Sequence, residues 1–245
     1  MAVSKKVVAP GKPTTDSASS SSTRKVLVID VGGTHVKLLA TGQKESRKIE
    51  SGPTMTPVMM VNQVKQLVKD WPYDVVAIGY PGPVVHGRPL HNPANLGVGW
   101  VGFNFQKAFG KPIRLINDAA MQALGSYQGG SMLFLGLGTG LGSALIVHGK
   151  LEPLELAHLP FKKGRTYEDY VGLRGLQRMG KKKWRKYVTE IVEAFKQALE
   201  ADYVILGGGN SKFMRTLPKD TRLGANENAF LGGFRLWEQD RKSPR

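Results

Sequence analysis

The residue types best suited to chemistry are two aspartates that follow apolar runs. Asp30 comes at the end of KVLVID, and Asp118 comes at the end of IRLIND. A carboxylate at the carboxyl end of a strand, facing a cleft, can act as a general base that takes a proton from an alcohol. Asp118 could also cap a helix that begins at Ala119, and capping is compatible with catalysis.

Two glycines and a threonine follow the first aspartate in DVGGTHVK, and Lys37 closes this segment as a further candidate phosphate contact. Backbone amides at Gly32 and Gly33 can approach a phosphate oxygen closely, and the Thr34 hydroxyl is another donor. Because a carboxylate repels a phosphate unless a cation lies between them, Asp30 is a candidate Mg²⁺ residue. An ordinary hairpin with a solvated aspartate is the alternative.

A second glycine-rich turn lies in LGLGTGLGSAL, where Gly138, Thr139 and Gly140 separate two apolar runs. No Gly-Lys-Ser/Thr follows, so this is not a P-loop, and the next segment is another strand. We expect a hairpin turn whose backbone holds phosphate, although such a turn is often only a turn.

A third glycine cluster, LGGGN, ends the apolar run that starts at Tyr203. Gly208 and Gly209 leave bare backbone against which a base, a ribose or a phosphate chain could pack. The alternative is a helix-entry loop with Asn210 or Ser211 as its N-cap.

Two segments carry side chains suited to sugar hydroxyls. In PLELAHLPF, Glu155 and His158 can hydrogen-bond neighbouring hydroxyls. In the long loop after GYPGP, Asn92 and Asn95 offer amides, and Trp100 offers an indole for a sugar ring. The alternatives are a structural histidine and a Pro/Gly-rich loop without a ligand.

With no Cys and only 5 His, a closed zinc site is disfavoured.

Alternating strands and helices must position these residues. The patterns predict strands at 25–31, 34–41, 74–80, 113–118, 203–210 and, around a central turn, 132–149, with helices within 57–71, 119–128, 184–200 and 229–237. The strand–glycine turn–strand unit occurs twice, at 25–41 and at 132–149. Two similar α/β lobes would follow, with the glycine turns of both facing one cleft.

The predicted domain organisation has two lobes between two tails. We predict a first lobe over 24–118, completed by a closing helix at 225–238, and a second lobe over 119–224. Residues 1–23 and 239–245 are polar and aperiodic, so they are predicted to be disordered.

The charge balance favours an anionic partner. The 245 residues include 35 Lys and Arg against 19 Asp and Glu, a net charge of +16. Ten of the positive residues fall in the basic segment 162–186. A folded chain this positive favours a polyanionic partner: nucleic acid, an anionic surface or a polyphosphorylated substrate. A solvated loop and helix face is the alternative.

Cysteine usage and hydropathy exclude several classes of protein. The absence of Cys excludes disulfides, thiolate metal sites and cysteine nucleophiles. No apolar run approaches the roughly 18 residues of a membrane helix. No secretory apolar region is present near the N-terminus, so a cytoplasmic location is expected.

The ordered motifs DVGGTHVK, GYPGPV, LINDA, LGTGLGSAL, LELAHLPF and LGGGN resemble those of the ROK family of sugar kinases. The resemblance covers about residues 25–237, and LELAHLPFKKGRTYEDYVG is especially similar to the polyphosphate glucokinase branch. It implies an α/β, two-domain actin-like (ribonuclease H-like) fold, with sugar and phosphoryl donor meeting in the interdomain cleft. A homodimer is usual in such kinases.

The resemblance also implies roles for individual residues. Asp118 would be the base for the 6-hydroxyl of glucose, and of mannose if that sugar is accepted. Contacts to the sugar are implied for Gly82, Asn95, Asn117, Asp118, Glu155, His158 and Glu168. Contacts to the donor, polyphosphate or ATP, are implied for the turns Gly32–Thr34 and Gly138–Gly140, with Gly208 and Gly209 beside a nucleotide.

The chain departs from the family pattern in its metal site. ROK sugar kinases usually carry zinc on one His and three Cys; every Cys is missing here, so only Mg²⁺ and no structural zinc is expected. Three alternatives stay open: a strictly ATP-dependent ROK glucokinase, a nucleic-acid-binding ribonuclease H-like protein and a silent sugar sensor. Nucleases of that class need several converging carboxylates, so no nucleic-acid partner is expected.

Overall fold

The computed structural model describes residues 24–225 and 227–238, so the predicted tails lie outside the described residues. In chain order the elements are β1 (Val26–Val31), β2 (His35–Ala40), β3 (Arg47–Glu50), α1 (Pro57–Leu67), β4 (Val75–Tyr80), β5 (Val84–Val85), β6 (Arg88–Pro89), α2 (Phe105–Phe109), β7 (Ile113–Asn117), α3 (Asp118–Ser126), β8 (Ser131–Leu137), β9 (Leu141–Val147), β10 (Lys150–Leu154), α4 (Tyr167–Val171), α5 (Leu173–Ala198), β11 (Tyr203–Gly207), a 3₁₀ turn (Ser211–Phe213), β12 (Thr221–Leu223) and α6 (Asn228–Glu238).

Two five-stranded sheets share one topology. The first has the order β3-β2-β1-β4-β7, and the second has the order β10-β9-β8-β11-β12. In each sheet three consecutive strands form an antiparallel meander, and the first of them pairs in parallel with a later strand. The repeated strand–turn–strand unit is therefore confirmed, with one glycine turn between β1 and β2 and the other between β8 and β9.

Parallel pairing brings the predicted functional loops to one edge of each sheet. The neighbouring strands β1, β4 and β7 are parallel, so their carboxyl ends at Val31, Tyr80 and Asn117 lie at the same edge. The carboxyl ends of β8 and β11, at Leu137 and Gly207, likewise share an edge of the second sheet.

The strand β1 is buried on both faces, as its apolar run predicts. Leu27 and Ile29 pack in a core with α1, whereas Val26 and Val28 pack in a second core with α3 and α6. Successive strand side chains point to opposite faces, so one short strand supports both layers.

The helices α3 and α6 cross in the core that contains side chains of both sheets. Their backbones touch: a Cβ on Gly125 would lie 1.8 Å from the carbonyl oxygen of Asn228, and one on Gly232 would lie 1.7 Å from that of Met121. Arg235 of α6 donates to three carbonyls at the C-terminal end of α3. The closing helix predicted at 229–237 therefore forms, and it fixes the direction of α3.

Some elements differ from the prediction. The helix predicted over 184–200 is part of α5, which begins at Leu173 and is kinked at Gly180, where φ is 72° and ψ is 159°. The sequence patterns do not predict several short elements, because each has too few apolar residues for a periodic signal. These are β3, β5, β6, α2, α4, β10 and β12. Among the described residues, no helix combines the length and hydropathy needed to cross a bilayer.

Candidate active site

Asp118 is the first residue of α3, at the carboxyl edge of the first sheet. Asn117 is the N-cap, because its Oδ1 accepts the Ala120 N–H at 3.1 Å. Asp118 Oδ1 accepts the N–H of Ala119 at 2.8 Å. The prediction that the strand reaches Asp118 and the helix begins at Ala119 is therefore wrong by one residue. The capping is done by the asparagine, which leaves the aspartate to another role.

Gly79 allows Asp118 to approach Asp30. Gly79 of β4 pairs in register with Asp30 of β1. A Cβ on Gly79 would lie 3.6 Å from the Cα of Asp118 and 2.3 Å from Cε of Met121. Without a side chain at this position, the first turn of α3 packs directly on the strand beside Asp30.

The carboxyl groups at this edge act on one another. Burial, followed by the negative charges of Asp30 and Glu155, raises the pKa of Asp118 to about 7. The hydrogen bond from the Ala119 N–H acts in the opposite direction and lowers the pKa. Burial also raises the pKa of Asp30. Lys37, which pairs with Asp30 from the neighbouring strand β2, opposes this rise. Lys37 therefore serves Asp30 as a counter-charge, in addition to any contact with a phosphate.

The first glycine turn is held from two sides. The Gly32 N–H donates to the carbonyl of His35 at 3.0 Å, and Ser51 Oγ donates to the Gly32 carbonyl at 2.6 Å. A Cβ on Gly33 would lie 3.1 Å from the Cβ of Asn95. The predicted donor turn and one predicted sugar residue are thus neighbours. No feature of the sequence marks Ser51.

The second and third glycine motifs form one unit. Asn210 donates its backbone N–H to the carbonyl of Leu137 at 2.9 Å and its Nδ2 to that of Gly138 at 2.8 Å. A Cβ on Gly208 would lie 2.5 Å from the Leu137 oxygen, and φ is 79° there. The side chain of Asn210 does not cap the 3₁₀ turn that begins at Ser211, because it joins the two motifs instead.

The tips of all three turns are open to solvent. Thr34, Thr139 and Gly209 are exposed, whereas the glycines that precede or follow them are partly covered. Their hydroxyl and amide donors are therefore accessible to an anion, as the sequence predicts for phosphate-holding turns.

Glu168 connects the segment with Glu155 to the second glycine turn. Its backbone N–H donates to the carbonyl of Ala157 at 3.0 Å, and its Oε2 accepts the Leu141 N–H at 3.3 Å. A Cβ on Gly140 would lie 2.2 Å from Glu168 Oε2, so the carboxylate rests on that glycine. A residue predicted to bind the sugar and a turn predicted to bind the donor are therefore in direct contact.

Glu155 and His158 lie close enough to influence each other, although both are exposed. The carboxyl group of Glu155 is nevertheless partly withdrawn from solvent, which raises its pKa; His158 opposes the rise, and the charge of Glu168 adds to it. Glu155 also acts on Asp118. These interactions extend from the first sheet, through Asp118 and Glu155, to Glu168 at the second glycine turn.

Gly82 and Asn117 are joined directly. Asn117 Nδ2 donates to the Gly82 carbonyl at 3.0 Å, while its Oδ1 caps α3. The amide that was expected to hold a sugar hydroxyl therefore also fixes the GYPGP loop against the start of α3.

Two residues expected in the sugar loop are structural. Asn92 Oδ1 accepts the N–H groups of Gly99 and Trp100 at 3.1 and 3.0 Å. Trp100 is fully buried, and its ring centroid lies 5.8 Å from that of Tyr80. The prediction that its indole packs on a ligand is wrong, because the apolar core that contains Tyr80 takes up the ring.

A divalent cation fits the residues at Asp30. Within residues 24–225 and 227–238, no group of three or more His, Cys, Asp or Glu could hold a metal ion. Mg²⁺ in phosphoryl-transfer sites is usually bound through one or two carboxylates, substrate phosphates and water. Buried Asp30, beside the first glycine turn and near a second carboxylate, could supply the protein part of such a set.

A cavity of about 860 Å³ lies apart from this site. It runs along the free edge of β7, and its lining includes Arg88, Phe103, Lys107 and Lys111. None of the predicted site residues lines it.

Comparison with known proteins points to one family. Residues 26–153 match the ROK family. The chain is 29% identical over 228 residues to a polyphosphate glucokinase of Mycobacterium tuberculosis, strain CDC 1551 / Oshkosh, covering 82% of this chain and 84% of that protein. It is 28% identical over 222 residues to a polyphosphate glucokinase of Mycobacterium leprae, with 82% and 68% covered.

Solved structures agree in fold. The inorganic polyphosphate/ATP-glucomannokinase from Arthrobacter sp. strain KM superposes with a TM-score of 0.75 at 24% identity, covering 89% of this chain and 99% of that one. A ROK family glucokinase from Streptomyces griseus, in complex with glucose and AMPPNP, gives 0.68 at 17% identity, covering 88% and 99%. The predicted α/β actin-like fold is confirmed.

Proposed function

The chain belongs to the ROK family, and from that membership we propose that it is a glucokinase-type kinase. It transfers a phosphoryl group from inorganic polyphosphate, and also from ATP, to the 6-hydroxyl of glucose, and mannose is a second candidate sugar. The relatives named as polyphosphate glucokinases support the reaction class. The observation that carries the proposal is that buried Asp118 packs against Gly79, the sheet partner of Asp30, within reach of the charges of Asp30 and Glu155.

Asp118 is the general base of the proposed reaction. An alcohol becomes a better nucleophile as its proton passes to a carboxylate in the transition state. The pKa of Asp118, about 7, lies where a base is still unprotonated in part and already strong enough to accept that proton. The N–H of Ala119 holds one carboxylate oxygen at 2.8 Å, which fixes the orientation of the group.

The glycine turns bind the donor. Phosphoryl transfer depends mainly on positioning and on neutralising the charge of the transferring group. Backbone donors at Gly32, Gly33 and Gly138–Gly140, with the exposed hydroxyls of Thr34 and Thr139, supply contacts from both sheets. Asp30 would hold Mg²⁺, which when bound neutralises charge on the donor phosphates.

The sugar is held beside Asp118. Asn117, Glu155 and His158 offer hydrogen-bonding groups near the base. Asn95 lies against the first glycine turn, so a sugar bound there would place a hydroxyl close to the donor phosphate. Glu168 lies on the opposite side of the proposed sugar pocket, next to Gly140. The contacts among these residues support one pocket shared by sugar and donor.

A basic cluster supports polyphosphate as a donor. It consists of Lys181, Arg185, Lys212 and the ring of Phe213. Nζ of Lys181 lies 4.4 Å and Nζ of Lys212 lies 5.4 Å from the ring centroid, and Arg185 Nε donates to the carbonyl of Phe213 at 2.5 Å. Lys212 and Phe213 of the cluster come shortly after Asn210, whose side chain donates to the carbonyl of Gly138 in the second glycine turn. A polyphosphate chain leaving that turn would meet these cations.

Not all of the basic segment serves this role. Lys162 pairs with Glu190 and lies over the rings of Phe161 and Tyr187, so its charge is used within the protein. Lys162 is therefore set apart from the track that we propose for polyphosphate, which includes Lys181 and Arg185 of α5.

The proposed function is tested by measuring sugar 6-phosphate formation in a coupled assay. Glucose and mannose are each combined with long-chain polyphosphate or ATP, with and without Mg²⁺. We expect Mg²⁺-dependent product from glucose with polyphosphate. Product with ATP alone would replace the polyphosphate proposal by an ATP-dependent glucokinase, and no product under any condition would overturn the kinase proposal.

A further inference from the structure

Arg174 lies where the sugar side and the donor side of the site meet. It is the second residue of α5, and the preceding N–H, that of Leu173, donates to the carbonyl of Thr139 in the second glycine turn at 3.1 Å. Its guanidinium donates to Glu168 Oε1 at 3.3 Å, and the other oxygen of that carboxylate accepts the Leu141 N–H just after the turn. One carboxylate thus separates this arginine from the donor turn.

The present partners of Arg174 hold it weakly. The contacts to Glu168 and Asp169 are 3.3 and 3.5 Å long, and the arginine side chain is 71% exposed. Exposed ion pairs of this kind contribute little to stability, because solvent screens the charges and ordering the side chains costs entropy. Such a guanidinium can exchange a carboxylate for a phosphate at little cost, and its planar array of donors suits phosphate oxygens.

Neighbouring arginines are engaged differently. Arg178 donates to the carbonyl of Asp169 at 2.6 Å, and Arg185 donates to that of Phe213 at 2.5 Å. Both bonds tie an arginine to backbone. Of these three arginines in the basic segment, Arg174 is the one whose described partners are carboxylates that a donor phosphate could replace.

We propose that Arg174 is a donor-binding residue that exchanges Glu168 for a phosphate of the incoming donor. This inference rests on the proposed function. Glu168 then competes with the donor for the guanidinium when the site is empty. Once the donor has taken Arg174, the Oε1 atom of Glu168 is released on the sugar side. The same exchange serves polyphosphate and ATP, because both present a chain of phosphates at the turn.

The proposal predicts opposite effects of two substitutions on donor binding. Arg174→Gln should weaken the binding of tripolyphosphate about tenfold, the loss expected for one hydrogen bond between charged groups. Glu168→Gln should tighten it, because the nearer of the two carboxylate partners of Arg174 loses its charge. In the double variant Arg174→Gln/Glu168→Gln, the tightening should disappear. Binding is measured by titration calorimetry without glucose, so that no phosphoryl transfer to the sugar occurs, and Lys65→Gln, an exposed lysine of α1, is the control for net charge.

A structural role predicts another pattern. If Arg174 only holds Glu168 in place, both single variants would weaken donor binding and would raise the KM for glucose alike. That result overturns the proposal, as does unchanged tripolyphosphate binding in Arg174→Gln. Arg174→Lys keeps the charge without the planar donors, so it should recover only part of the affinity.

Failure of this proposal is distinguishable from failure of the proposed function. Calorimetry without glucose reports donor binding independently of phosphoryl transfer to the sugar. A wild-type protein that forms sugar 6-phosphate while Arg174→Gln binds tripolyphosphate normally overturns only the role of Arg174. A wild-type protein that forms no sugar phosphate overturns the proposed function, and the binding of tripolyphosphate to the variants still tests Arg174.

Discussion

The charge of Asp30 raises the pKa of Asp118 across a strand position that carries no side chain. Gly79 pairs with Asp30 in the sheet, and its missing Cβ leaves room for the first turn of α3. This glycine therefore lets the first turn of α3 pack directly on the strand beside Asp30. The arrangement gives a base with a pKa near neutrality next to a candidate Mg²⁺ residue.

The pH dependence of catalysis should report this relationship. Because the base must be unprotonated, kcat/KM for glucose should rise with pH through an apparent pKa of about 7. Asp30→Asn removes a negative neighbour, so the apparent pKa should fall even where the rate is reduced. Rates are measured from pH 5 to pH 9 with Glu45→Gln, an exposed acid, as the control. An unshifted profile in Asp30→Asn would contradict the coupling.

The same pKa predicts how stability changes with pH. The pKa of Asp118 is about 7 in the folded protein against an ordinary 3.8, so the folded state keeps a proton that the unfolded chain releases between these values. The stabilising contribution of Asp118 to the free energy of unfolding is therefore complete below pH 3.8 and is lost as the pH rises through about 7. Asp118→Asn should raise Tm relative to wild type at pH 8 more than at pH 4. Equal effects at both pH values would argue against the shifted pKa.

Two glycine substitutions separate folding from donor binding. A Cβ on Gly138 would meet nothing within 4 Å, so Gly138→Ala should leave Tm unchanged. It should raise the KM for the donor several-fold, because the methyl group occupies the space that a phosphate would approach. Gly52→Ala, also in open space, is the matched control. A normal donor KM in Gly138→Ala would exclude this turn from the donor site.

The basic cluster should affect polyphosphate more than ATP. Lys181→Ala/Lys212→Ala removes two cations beyond the second glycine turn, so the KM for long-chain polyphosphate should rise and its salt dependence should become less steep. The KM for ATP and the kcat should change little. Lys65→Ala/Lys69→Ala in and after α1 controls for net charge. Equal increases in KM for both donors would show that the cluster does not distinguish polyphosphate from ATP.

The sequence indicates the elements that have strong local signals. The runs that became β1, β4 and β8 were predictable because each is apolar and is ended by glycine or proline. The DVGGT hairpin follows from two glycines between β-branched strands. Asp118 is recognisable as a candidate base because a short apolar strand ends beside it. The sequence does not show that Asn117, and not Asp118, caps the helix.

Other features depend on tertiary contacts. The burial of Trp100 against Tyr80 is invisible in a Pro/Gly-rich loop. The contact between Gly79 and the start of α3 joins distant residues, so no local pattern marks it. Arg174 could not be separated from nine other cations of the basic segment, since only its position beside Glu168 distinguishes it. The kink at Gly180 is likewise hidden within a run of helix-forming residues.

The identity of the base is tested most directly by Asp118→Asn. Asparagine keeps the size of the side chain but cannot accept the proton, so kcat with glucose should fall by at least about a hundredfold. Calorimetric titration with glucose should still show binding, and Asp74→Asn, outside the candidate site, should keep full turnover. Turnover of Asp118→Asn above about a tenth of wild type would contradict the assignment of Asp118 as the base.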